Sequence, residues 1–375
     1  MEQNTTQIRE ALQRVIAMKI VHVHHHYWPV VGGLENVVKA LAEGMARLGH
    51  EVHVITSTYG SEGRPREEVI SGVHIHRVKS TKLGYPDLTY PIEVPRSVLR
   101  DADVAHGHSQ NSLFTVKLIE EAKKLNVITA MHFMAVDALR DHPSALIRLL
   151  GPLYSDTMLK RALSSTDIRL ARSLRDKELI ESKFGVNVEY VPDGVPKWFI
   201  EHDYAGKSFR QKYGVDGDYV LYIGRLHPLK GIDVLLRAMR IVVSKVDLRL
   251  VIAGPGDRRP YVELARSLGV DKYVLFPGFV SEEDKVGAID GSVCVVLPSI
   301  SDYVEVYPMV ISEAWARSKP VIASSVGGIP YRVKHMVNGL LVPPRDPKAL
   351  AEAMMALVQD RELSVRLGME ERDRS

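Results

Sequence analysis

The sequence predicts an α/β protein composed of two doubly wound domains. Short apolar segments alternate with amphipathic helical segments along the chain, a pattern typical of parallel sheets that are covered by helices on both faces. The length of 375 residues exceeds that of one usual hydrophobic core, so two domains are expected. Ligands of such domains bind beyond the C-terminal ends of the strands, and we expect the active site in a cleft between the two domains.

The first domain is predicted to span 19–196, after an N-terminal extension over 1–18. Helical spacing of apolar residues over 34–48 predicts a helix directly after the first strand. The apolar segments of this half predict strands at 19–25, 51–57, 73–79, 103–107, 126–132, 167–172 and 188–192.

The second domain is predicted to span 218–375, because the alternation breaks at Pro196 and a new apolar segment begins at Tyr219. We interpret 197–217 as the linker between the domains. Strands are predicted at 218–224, 247–253, 273–276, 293–297, 320–324 and 339–342, with helices at 231–245 and 308–318.

Composition excludes several classes of protein. The chain has 49 Lys and Arg against 46 Asp and Glu, a balance that gives no sign of nucleic-acid binding. Cys294 is the single cysteine and lies in an apolar segment, which predicts a core residue rather than a disulfide or a nucleophile. No apolar segment has the length of a membrane span, and the N-terminus lacks a signal-peptide core. We expect a cytoplasmic protein that could touch the inner face of the membrane peripherally.

Two carboxylates flank the start of the helix predicted at 308–318. Glu305 ends an irregular acidic segment, and Glu313 lies inside the helix. The N–H groups and the dipole at a helix N-terminus favour an anion. Acidic groups beside such a position suit a ligand with phosphate and several hydroxyl groups, such as a nucleotide sugar. Two solvated glutamates on a surface helix would give the same pattern.

Glycine-containing loops follow several predicted strands at the start of a helix or loop. Gly32 and Gly33 precede the first helix, whereas Gly224 and Gly254 end the first two strands of the second domain. Glycine permits close approach of the backbone to a ligand, although a tight loop alone could explain each pair. The spacing differs from the three-glycine dinucleotide fingerprint.

Two cations bracket the loop after the first strand of the second domain. Arg225 leaves the strand end, and Lys230 lies beside the next helix. Two cations and a helix N-terminus directed at one position suit a diphosphate. Ordinary solvated side chains are the alternative.

Taken in chain order, the motifs resemble those of the family 4 retaining glycosyltransferases. The motifs are Gly32-Gly33-Leu34-Glu35, Gly224-Arg225-Leu226 with Lys230-Gly231, the pair Glu305/Glu313, and Val326-Gly327-Gly328-Ile329-Pro330. The resemblance covers about residues 19 to 360. It implies the GT-B fold, with two Rossmann-like domains, the first on the acceptor side and the second binding the donor. It also implies a nucleoside-diphosphate sugar as donor, a hydroxyl of a glycan, lipid or small molecule as acceptor, and no metal or other cofactor.

The same resemblance implies residue roles. Arg225 and Lys230 would hold the donor diphosphate, Glu305 the sugar hydroxyls and Glu313 the ribose, with His132 near the sugar. The departing phosphate would take the acceptor proton, so that no protein base is required. The remaining donor contacts implied by the family are Gly32, Gly33, Gly224, Gly254, Val280, Tyr307, Pro308, Met309 and Val310.

Several positions depart from the family pattern. Pro308 replaces a glycine and lacks an N–H for phosphate; Asp193 replaces an asparagine and Tyr331 a glutamate. Arg317 and Ser318 stand where the family has a small residue and a glycine. Two alternative functions therefore stay open, a sugar-nucleotide epimerase of the same fold and a non-catalytic sugar-nucleotide-binding protein.

Other patterns suggest different chemistry. His22, His24 and His26 would share one face of the first strand, next to His25, and could bind a metal, but the segment offers no thiolate or carboxylate. The sequence Asp101-Ala102-Asp103 imitates a metal-binding Asp-x-Asp but precedes its strand. The sequence Gly107-His108-Ser109-Gln110-Asn111 resembles a nucleophile elbow without an oxyanion motif. We expect neither a metal nor hydrolase chemistry.

A segment rich in leucine at 146–163 carries the cations Arg148, Lys160 and Arg161. Apolar residues flanked by cations are typical of an interfacial helix that lies on a membrane. A helix packed on the first domain is the alternative, and Gly151-Pro152 interrupts the pattern.

Overall fold

The computed structural model describes residues 17–30, 32–82, 88–142, 144–201 and 206–369. The chain divides into two compact units, Met1–Pro192 and Asp193–Ser375. Except for its last two residues, the predicted extension over 1–18 lies outside the described residues.

The first unit is built on an eight-stranded sheet in the order β10-β9-β8-β7-β1-β2-β4-β3. Neighbouring strands are parallel except for β3 and β4, and β5 pairs with β6 in a separate antiparallel hairpin. The strands are β1 (Lys19–Val23), β2 (Glu51–Ser57), β3 (Glu67–Ile70), β4 (Val73–Val78), β5 (Ser80–Lys82), β6 (Thr89–Pro91), β7 (Val104–His108), β8 (Ile128–Phe133), β9 (Ile168–Ala171) and β10 (Glu189–Tyr190).

All strands predicted for this half are present. The sequence missed β3, β5 and β6, which are short and carry polar, partly exposed side chains. Edge strands of this kind lack the apolar pattern by which buried strands are recognised.

The helices of the first unit cover the faces of its sheet. They are α1 (Gly33–Arg47), α2 (Arg96–Arg100), α3 (Leu113–Lys124), α4 (Ala145–Ser164) and α5 (Leu174–Phe184), with a 3₁₀ turn at Ala138–Asp141. Ser112 caps α3 by accepting a hydrogen bond from the Thr115 N–H, at 3.3 Å. Phe114 and Ile119 of α3 are fully buried with Met131 and Phe133 of β8, so the helix closes one face of the core.

The second unit has a six-stranded, fully parallel sheet in the order β13-β12-β11-β14-β15-β16. Its strands are β11 (Tyr219–Ile223), β12 (Arg249–Ala253), β13 (Val274–Gly278), β14 (Val295–Leu297), β15 (Val321–Ser324) and β16 (Leu340–Val342). Its helices are α6 (Lys197–Glu201), α7 (Gly206–Tyr213), α8 (Ile232–Val242), α9 (Arg259–Ser267), α10 (Glu282–Gly291), α11 (Met309–Ala316), α12 (Ile329–Arg332), α13 (Pro347–Gln359) and α14 (Arg361–Met369), with 3₁₀ turns at Pro228–Lys230, Asp271–Tyr273 and Asp302–Val304.

The segment interpreted as a linker contains α6 and α7 and belongs to the second unit. Phe199 and Phe209 are each 1% exposed, and Lys212 at the end of α7 pairs with Asp284 of α10 at 2.6 Å. The sequence did not predict these two helices because isolated aromatic residues in a polar segment do not produce a periodic apolar pattern. Burial of the two phenylalanines packs both helices against the second unit.

Each sheet has a position at which the chain reverses its direction of winding. In the first unit the reversal lies between β1 and β7, and in the second it lies between β11 and β14. The loops that leave neighbouring strands there run in opposite directions and leave a crevice for ligands. Ligand-binding residues are therefore expected at the C-terminal ends of these four strands.

Cys294 is fully buried beside β14, as the sequence predicts. Burial raises the pKa of its thiol to about 12, which makes it an inert core residue. None of the helices in the described ranges is long and apolar enough to cross a membrane.

Candidate active site

The loops after β11 and β12 in the second unit touch one another through glycines. Gly254 has φ +139°, and a Cβ there would lie 1.9 Å from the carbonyl oxygen of Gly224. The Leu226 N–H donates to the Pro255 carbonyl at 2.8 Å. Only glycine permits this approach, so the predicted donor contacts Gly224 and Gly254 lie side by side at the strand ends.

The loop after β11 is also attached to the loop after β14, across the reversal of the sheet. Gly231 has φ +68°, and a Cβ there would lie 1.9 Å from the carbonyl oxygen of Pro298. The Ile300 N–H donates to the Leu229 carbonyl at 2.9 Å. These contacts hold Lys230, which lies between Leu229 and Gly231, against the end of β14.

Lys230 and Glu305 form a buried ion pair, with Nζ and Oε1 at 2.7 Å. Glu305 is 2% exposed and also accepts a hydrogen bond from the Ser299 hydroxyl. Oε2 of Glu305 makes no hydrogen bond with a described residue. Burying a carboxylate without such partners costs free energy. Here one oxygen is held by the protein, and the other is left for a ligand hydroxyl.

Arg225 extends from the same loop without such a partner. Its side chain is exposed, and its guanidinium makes no hydrogen bond or ion pair within the described ranges. The Tyr222 hydroxyl donates to the Arg225 carbonyl at 2.8 Å and fixes the backbone. The guanidinium therefore keeps all its donors for an anion at the strand ends.

The start of α11 is braced by Arg332. Its guanidinium donates to the Pro308 carbonyl at 2.8 Å and to the Ser312 hydroxyl at 2.6 Å, and it stacks 3.9 Å from the centre of the Tyr307 ring. Pro308 is the N-cap of α11, so the first N–H groups of the helix belong to Met309 and Val310. The Gly328 N–H donates to the Glu305 carbonyl at 2.7 Å, which places the Gly-Gly motif beside this helix start.

Glu313 is paired with a lysine that sequence patterns missed. Lys285 of α10 lies 2.7 Å from both Glu313 and Glu282. Burial alone would lower the pKa of Lys285, but the two carboxylates raise it above its ordinary value. Val280, after β13, is buried in the same core as α10. A ligand hydroxyl at Glu313 would share that carboxylate with Lys285.

The departures from the family pattern have structural explanations in part. Arg317 binds Asp290 with two nitrogens, at 2.6 and 2.7 Å, and donates to the carbonyls of Phe199 and Ile200 in α6. Ser318 takes the left-handed conformation, φ +54°, in which a glycine is usual. Arg317 thus attaches α6 to the end of α11. Nothing in the structure explains Asp193 or Tyr331.

In the first unit, Gly32 and Gly33 begin α1 as the sequence predicts. Glu35 folds back over this start, because a Cβ on Gly32 would lie 2.2 Å from its Oε2. Burial alone would raise the pKa of Glu35, but the neighbouring His24 ring, 3.9 Å away, lowers it to about 2. Glu35 is therefore ionised beside the glycine loop.

His132 lies near the C-terminal end of β8 and is buried. Burial lowers its pKa to about 4, so the ring is neutral near pH 7. Its Nε2 lies 3.0 Å from the Val191 carbonyl, which can only accept, so Nε2 carries the proton and Nδ1 is an acceptor. The ring can receive a hydroxyl hydrogen bond but cannot act as an acid near pH 7.

The histidines of β1 do not form the group that the sequence suggested. His22 joins His106 and His108 of β7, and one ring nitrogen from each lies within 4.8 Å of the others. His24 binds the His108 carbonyl instead, at 3.1 Å. His26 follows the end of β1. The sequence interpretation grouped the histidines of β1 with one another, whereas the group in the structure combines β1 with β7.

The two remaining patterns have local structural roles. Asp103 accepts a hydrogen bond from the Lys19 N–H, at 2.7 Å. Asp101 is the C-cap of α2. Ser109 has φ +74° after β7, as a nucleophile elbow would. Its hydroxyl makes no hydrogen bond with a histidine in the part of the chain that the structure describes, so the geometry offers no activated nucleophile.

Both halves of the chain match families of known proteins. Residues 207–374 match the family model of Glycosyl transferases group 1, and residues 31–197 match that of Glycosyltransferase Family 4. An uncharacterised glycosyltransferase, MJ1607 of Methanocaldococcus jannaschii, is 32% identical over 370 residues, covering 92% of this chain and 90% of its own. A D-inositol 3-phosphate glycosyltransferase of Streptomyces avermitilis is 28% identical and covers 95% and 82%.

Solved structures share the fold at low sequence identity. A sucrose-phosphate synthase of Thermosynechococcus elongatus superposes with a TM-score of 0.72 at 22% identity, covering 95% of this chain and 94% of its own. HepE of Anabaena, solved in complex with UDP and glucose, has a TM-score of 0.70 at 19% identity with the same coverage. With both halves matched, the chain belongs to glycosyltransferase family 4, has the GT-B fold with two Rossmann-like units, and is a glycosyltransferase.

Proposed function

We propose that this enzyme transfers a sugar from a nucleoside-diphosphate sugar to an acceptor hydroxyl, with retention at the anomeric carbon and without a metal ion. The observation that carries the proposal is the arrangement of Arg225, Lys230 and Glu305 at the reversal of the second sheet. Two cations and one buried carboxylate at one set of strand ends suit a ligand that is anionic at one end and rich in hydroxyls at the other.

The diphosphate would be bound by side chains and backbone alone. The guanidinium of Arg225 has no partner among the described residues, and the N–H groups of Met309 and Val310 begin α11. These groups stabilise the negative charge that grows on the leaving diphosphate as the glycosidic bond breaks. Lys230 adds a second cation, whose charge Glu305 partly offsets, and the N-terminus of α11 adds its partial positive charge. The proposal assigns the neutralisation of the diphosphate to these groups and not to a divalent ion.

Glu305 would position the donor sugar and Lys230 together. Its Oε1 holds the Lys230 ammonium at 2.7 Å, which orients the cation before the substrate arrives. Its Oε2 would accept hydrogen bonds from sugar hydroxyls. Glu313 would accept a hydrogen bond from a ribose hydroxyl, which would replace part of its contact with Lys285.

The chemistry needs no protein nucleophile. The anomeric C–O bond to the diphosphate breaks, the acceptor oxygen forms its bond on the same face, and the acceptor proton goes to a departing phosphate oxygen. HepE has been solved with UDP-glucose, which supports a nucleotide sugar as donor. His132 would contact the sugar through Nδ1, as a positioning group.

The test is a donor screen with product analysis. UDP-, GDP- and ADP-glucose and their mannose and galactose counterparts would each be incubated with the enzyme and a panel of sugar and inositol-phosphate acceptors. The expected result is an α-linked product, read by the anomeric proton coupling in NMR. A β-linked product would refute retention. An epimerised donor without acceptor, or nucleotide binding without turnover, would favour the two alternative functions.

We also propose that α4 contacts an anionic membrane surface. Leu146, Leu149, Leu150 and Leu153 are 56–76% exposed, and their spacing places them on one face of the helix. Lys160 is exposed and follows Leu153 by seven residues, so it continues the same stripe. α4 is continuous through Pro152, so Gly151-Pro152 interrupts the apolar pattern without ending the helix.

The charge beside the exposed leucine face of α4 indicates which partner would bind there. An apolar stripe that ends in an exposed cation suits lipid acyl chains with anionic headgroups. Of the cations in the segment, Arg161 is bound to Glu120 at 2.8 Å and Arg148 to the His142 carbonyl at 2.9 Å. Lys160 is therefore the cation to test.

Co-sedimentation with vesicles of phosphatidylglycerol and phosphatidylcholine would measure this contact. Replacing Leu149 and Leu153 by Gln should abolish sedimentation, and Lys160→Gln should reduce its salt dependence. Leu48→Gln is the matched control, because Leu48 is 69% exposed in the same unit but outside α4. No sedimentation of the unaltered protein at low salt, or equal loss with Leu48→Gln, would refute the proposal.

A further inference from the structure

A buried group of histidines gathers at the C-terminal ends of β1 and β7 in the first unit. The sheet register places His22 directly opposite His106, and strand alternation places His108 on the same face one pleat further along. His22 Nδ1 and His108 Nε2 lie 3.0 Å apart. All three residues are at most 8% exposed.

Two nitrogens of this group have no protein partner. His22 Nε2 and His106 Nε2 are buried, and neither makes a hydrogen bond with any residue in the described ranges. Buried polar atoms in native proteins are nearly always satisfied, so an orphaned pair on facing side chains requires an explanation. A bound ion is one of the few that accounts for both atoms at once.

We propose that His22, His106 and His108 bind a divalent transition metal ion of the zinc class. One ring nitrogen from each lies within 4.8 Å of the other two. Three nitrogens around a tetrahedral Zn²⁺, each at about 2.0–2.1 Å, lie roughly 3.4 Å apart. Rotation of the imidazole side chains is sufficient to close this difference.

The chemistry of the ligands selects the metal. Imidazole nitrogens suit Zn²⁺, Cu²⁺, Ni²⁺ and Co²⁺, whereas Mg²⁺ and Ca²⁺ require oxygen ligands, and the triad has none. Burial lowers the pKa of His22 to about 4 and those of His106 and His108 well below the usual value. The rings are neutral near pH 7, which is the form that binds a metal.

Neighbouring side chains support the triad from outside. His24 lies 3.1 Å from the His108 carbonyl through Nδ1 and 3.9 Å from Glu35 through Nε2. Glu35 is the ionised end of this chain of contacts. The hydrogen bond from His24 to the backbone at His108 orients the end of β7.

All three ligands belong to the first unit, whereas Arg225, Lys230 and Glu313, the proposed nucleotide contacts, belong to the second. The site adjoins His132, the proposed sugar contact, whose ring centroid lies 5.5 Å from that of His106. The proposed role is to stabilise that unit, and it assigns no step of sugar transfer to the ion. Nucleotide binding by the second unit should therefore be the same with and without metal. Failure of either proposal leaves the other intact.

The experiment uses the full chain without a histidine tag, stripped with chelator and dialysed. Zn²⁺ is titrated against a chromophoric competitor, and Co²⁺ replaces it for absorption spectroscopy. We expect one ion per chain, a rise in melting temperature with Zn²⁺, and the intense visible bands of four-coordinate Co²⁺. A stoichiometry below one half, or only the weak bands of six-coordinate Co²⁺, would overturn the proposal.

Variants locate the ion. His22→Gln and His106→Gln should each weaken Zn²⁺ binding at least about 100-fold, beyond the 10- to 100-fold that loss of an outer contact costs. His74→Gln is the matched control, because His74 is exposed and stacks with His53 in a second histidine group of the same unit. Unchanged binding in His106→Gln, or equal loss in His74→Gln, would place the ion elsewhere and refute the assignment. If either triad variant fails to fold, the Co²⁺ spectrum of the unaltered protein decides.

Discussion

Replacing Lys230 by Ala should weaken donor binding and also destabilise the protein, whereas Arg225→Ala should do only the first. Lys230 is the ion-pair partner of Glu305, which is 2% exposed and would keep only the Ser299 hydroxyl. Breaking a buried pair by removing one partner costs about 3–5 kcal/mol. Because the Lys230 side chain is 25% exposed, water can partly replace it, and we expect about 2–3 kcal/mol.

A loss of this size lowers the melting temperature of a unit of this length by roughly 5–10 °C. Arg225 is exposed and has no ion-pair partner among the described residues, so its replacement should change stability by less than about 0.5 kcal/mol. Each variant loses one charge-assisted contact to phosphate, worth roughly 1.5–3 kcal/mol, or about 10- to 100-fold in affinity.

Thermal unfolding and calorimetry with UDP, GDP and ADP measure the two effects separately. The double variant Lys230→Ala/Glu305→Gln should recover most of the lost stability, since the buried charge is removed, but not the lost affinity. If the Lys230→Ala and Arg225→Ala variants have the same melting temperature, then burial of Glu305 does not require the Lys230 ammonium, and the predicted loss of stability is wrong. Unchanged nucleotide affinity in both single variants would refute the diphosphate assignment.

Three further predictions concern the carboxylates and metal dependence. Glu305→Gln should lower turnover more than nucleotide affinity, and Glu313→Ala should do the reverse; the opposite ranking in calorimetry would exchange their roles. Affinity for the nucleoside diphosphate should survive excess chelator, and a tenfold loss restored by Mg²⁺ or Mn²⁺ would contradict metal-free binding. Hydrogen bonds from Lys124, Lys117 and Arg96 lower the pKa of Glu121 to about 2 from 4.5, so its stabilisation is complete above pH 4.5 and is lost as the pH falls towards 2. Glu121→Gln should therefore cost about 1 kcal/mol at pH 7, after discounting for the exposed Lys124 and Arg96, and progressively less as the pH falls through 2; a difference independent of pH would mean that the charge is not the cause.

The sequence by itself determined the architecture of the second unit and the loops in which its candidate site residues lie. Buried parallel strands are continuous apolar segments, so all those predicted are present, including the short β14 and β16. Loops at strand ends contain glycine and charged residues for reasons of local sterics and anion binding, so Gly224, Gly254 and Arg225 were placed at the strand ends without coordinates.

What the sequence could not decide depends on which strands become neighbours. Lys230 and Glu305 are 75 positions apart and meet because β14 lies next to β11 rather than next to β13. The same is true of Lys285, whose partner Glu313 lies on another helix. Side chains that were assigned separate ligand contacts prove to be bound to partners within the protein.

The histidines show the same limit in the first unit. Alternation along β1 correctly placed His22 on a face of the sheet, but it grouped His22 with His24 and His26 as possible metal ligands. The tertiary structure replaced them with His106 and His108, since β7 pairs with β1 in parallel register. Periodicity within one strand reports which face a residue occupies, whereas the partners on that face are set by strand order, which depends on packing across the whole unit.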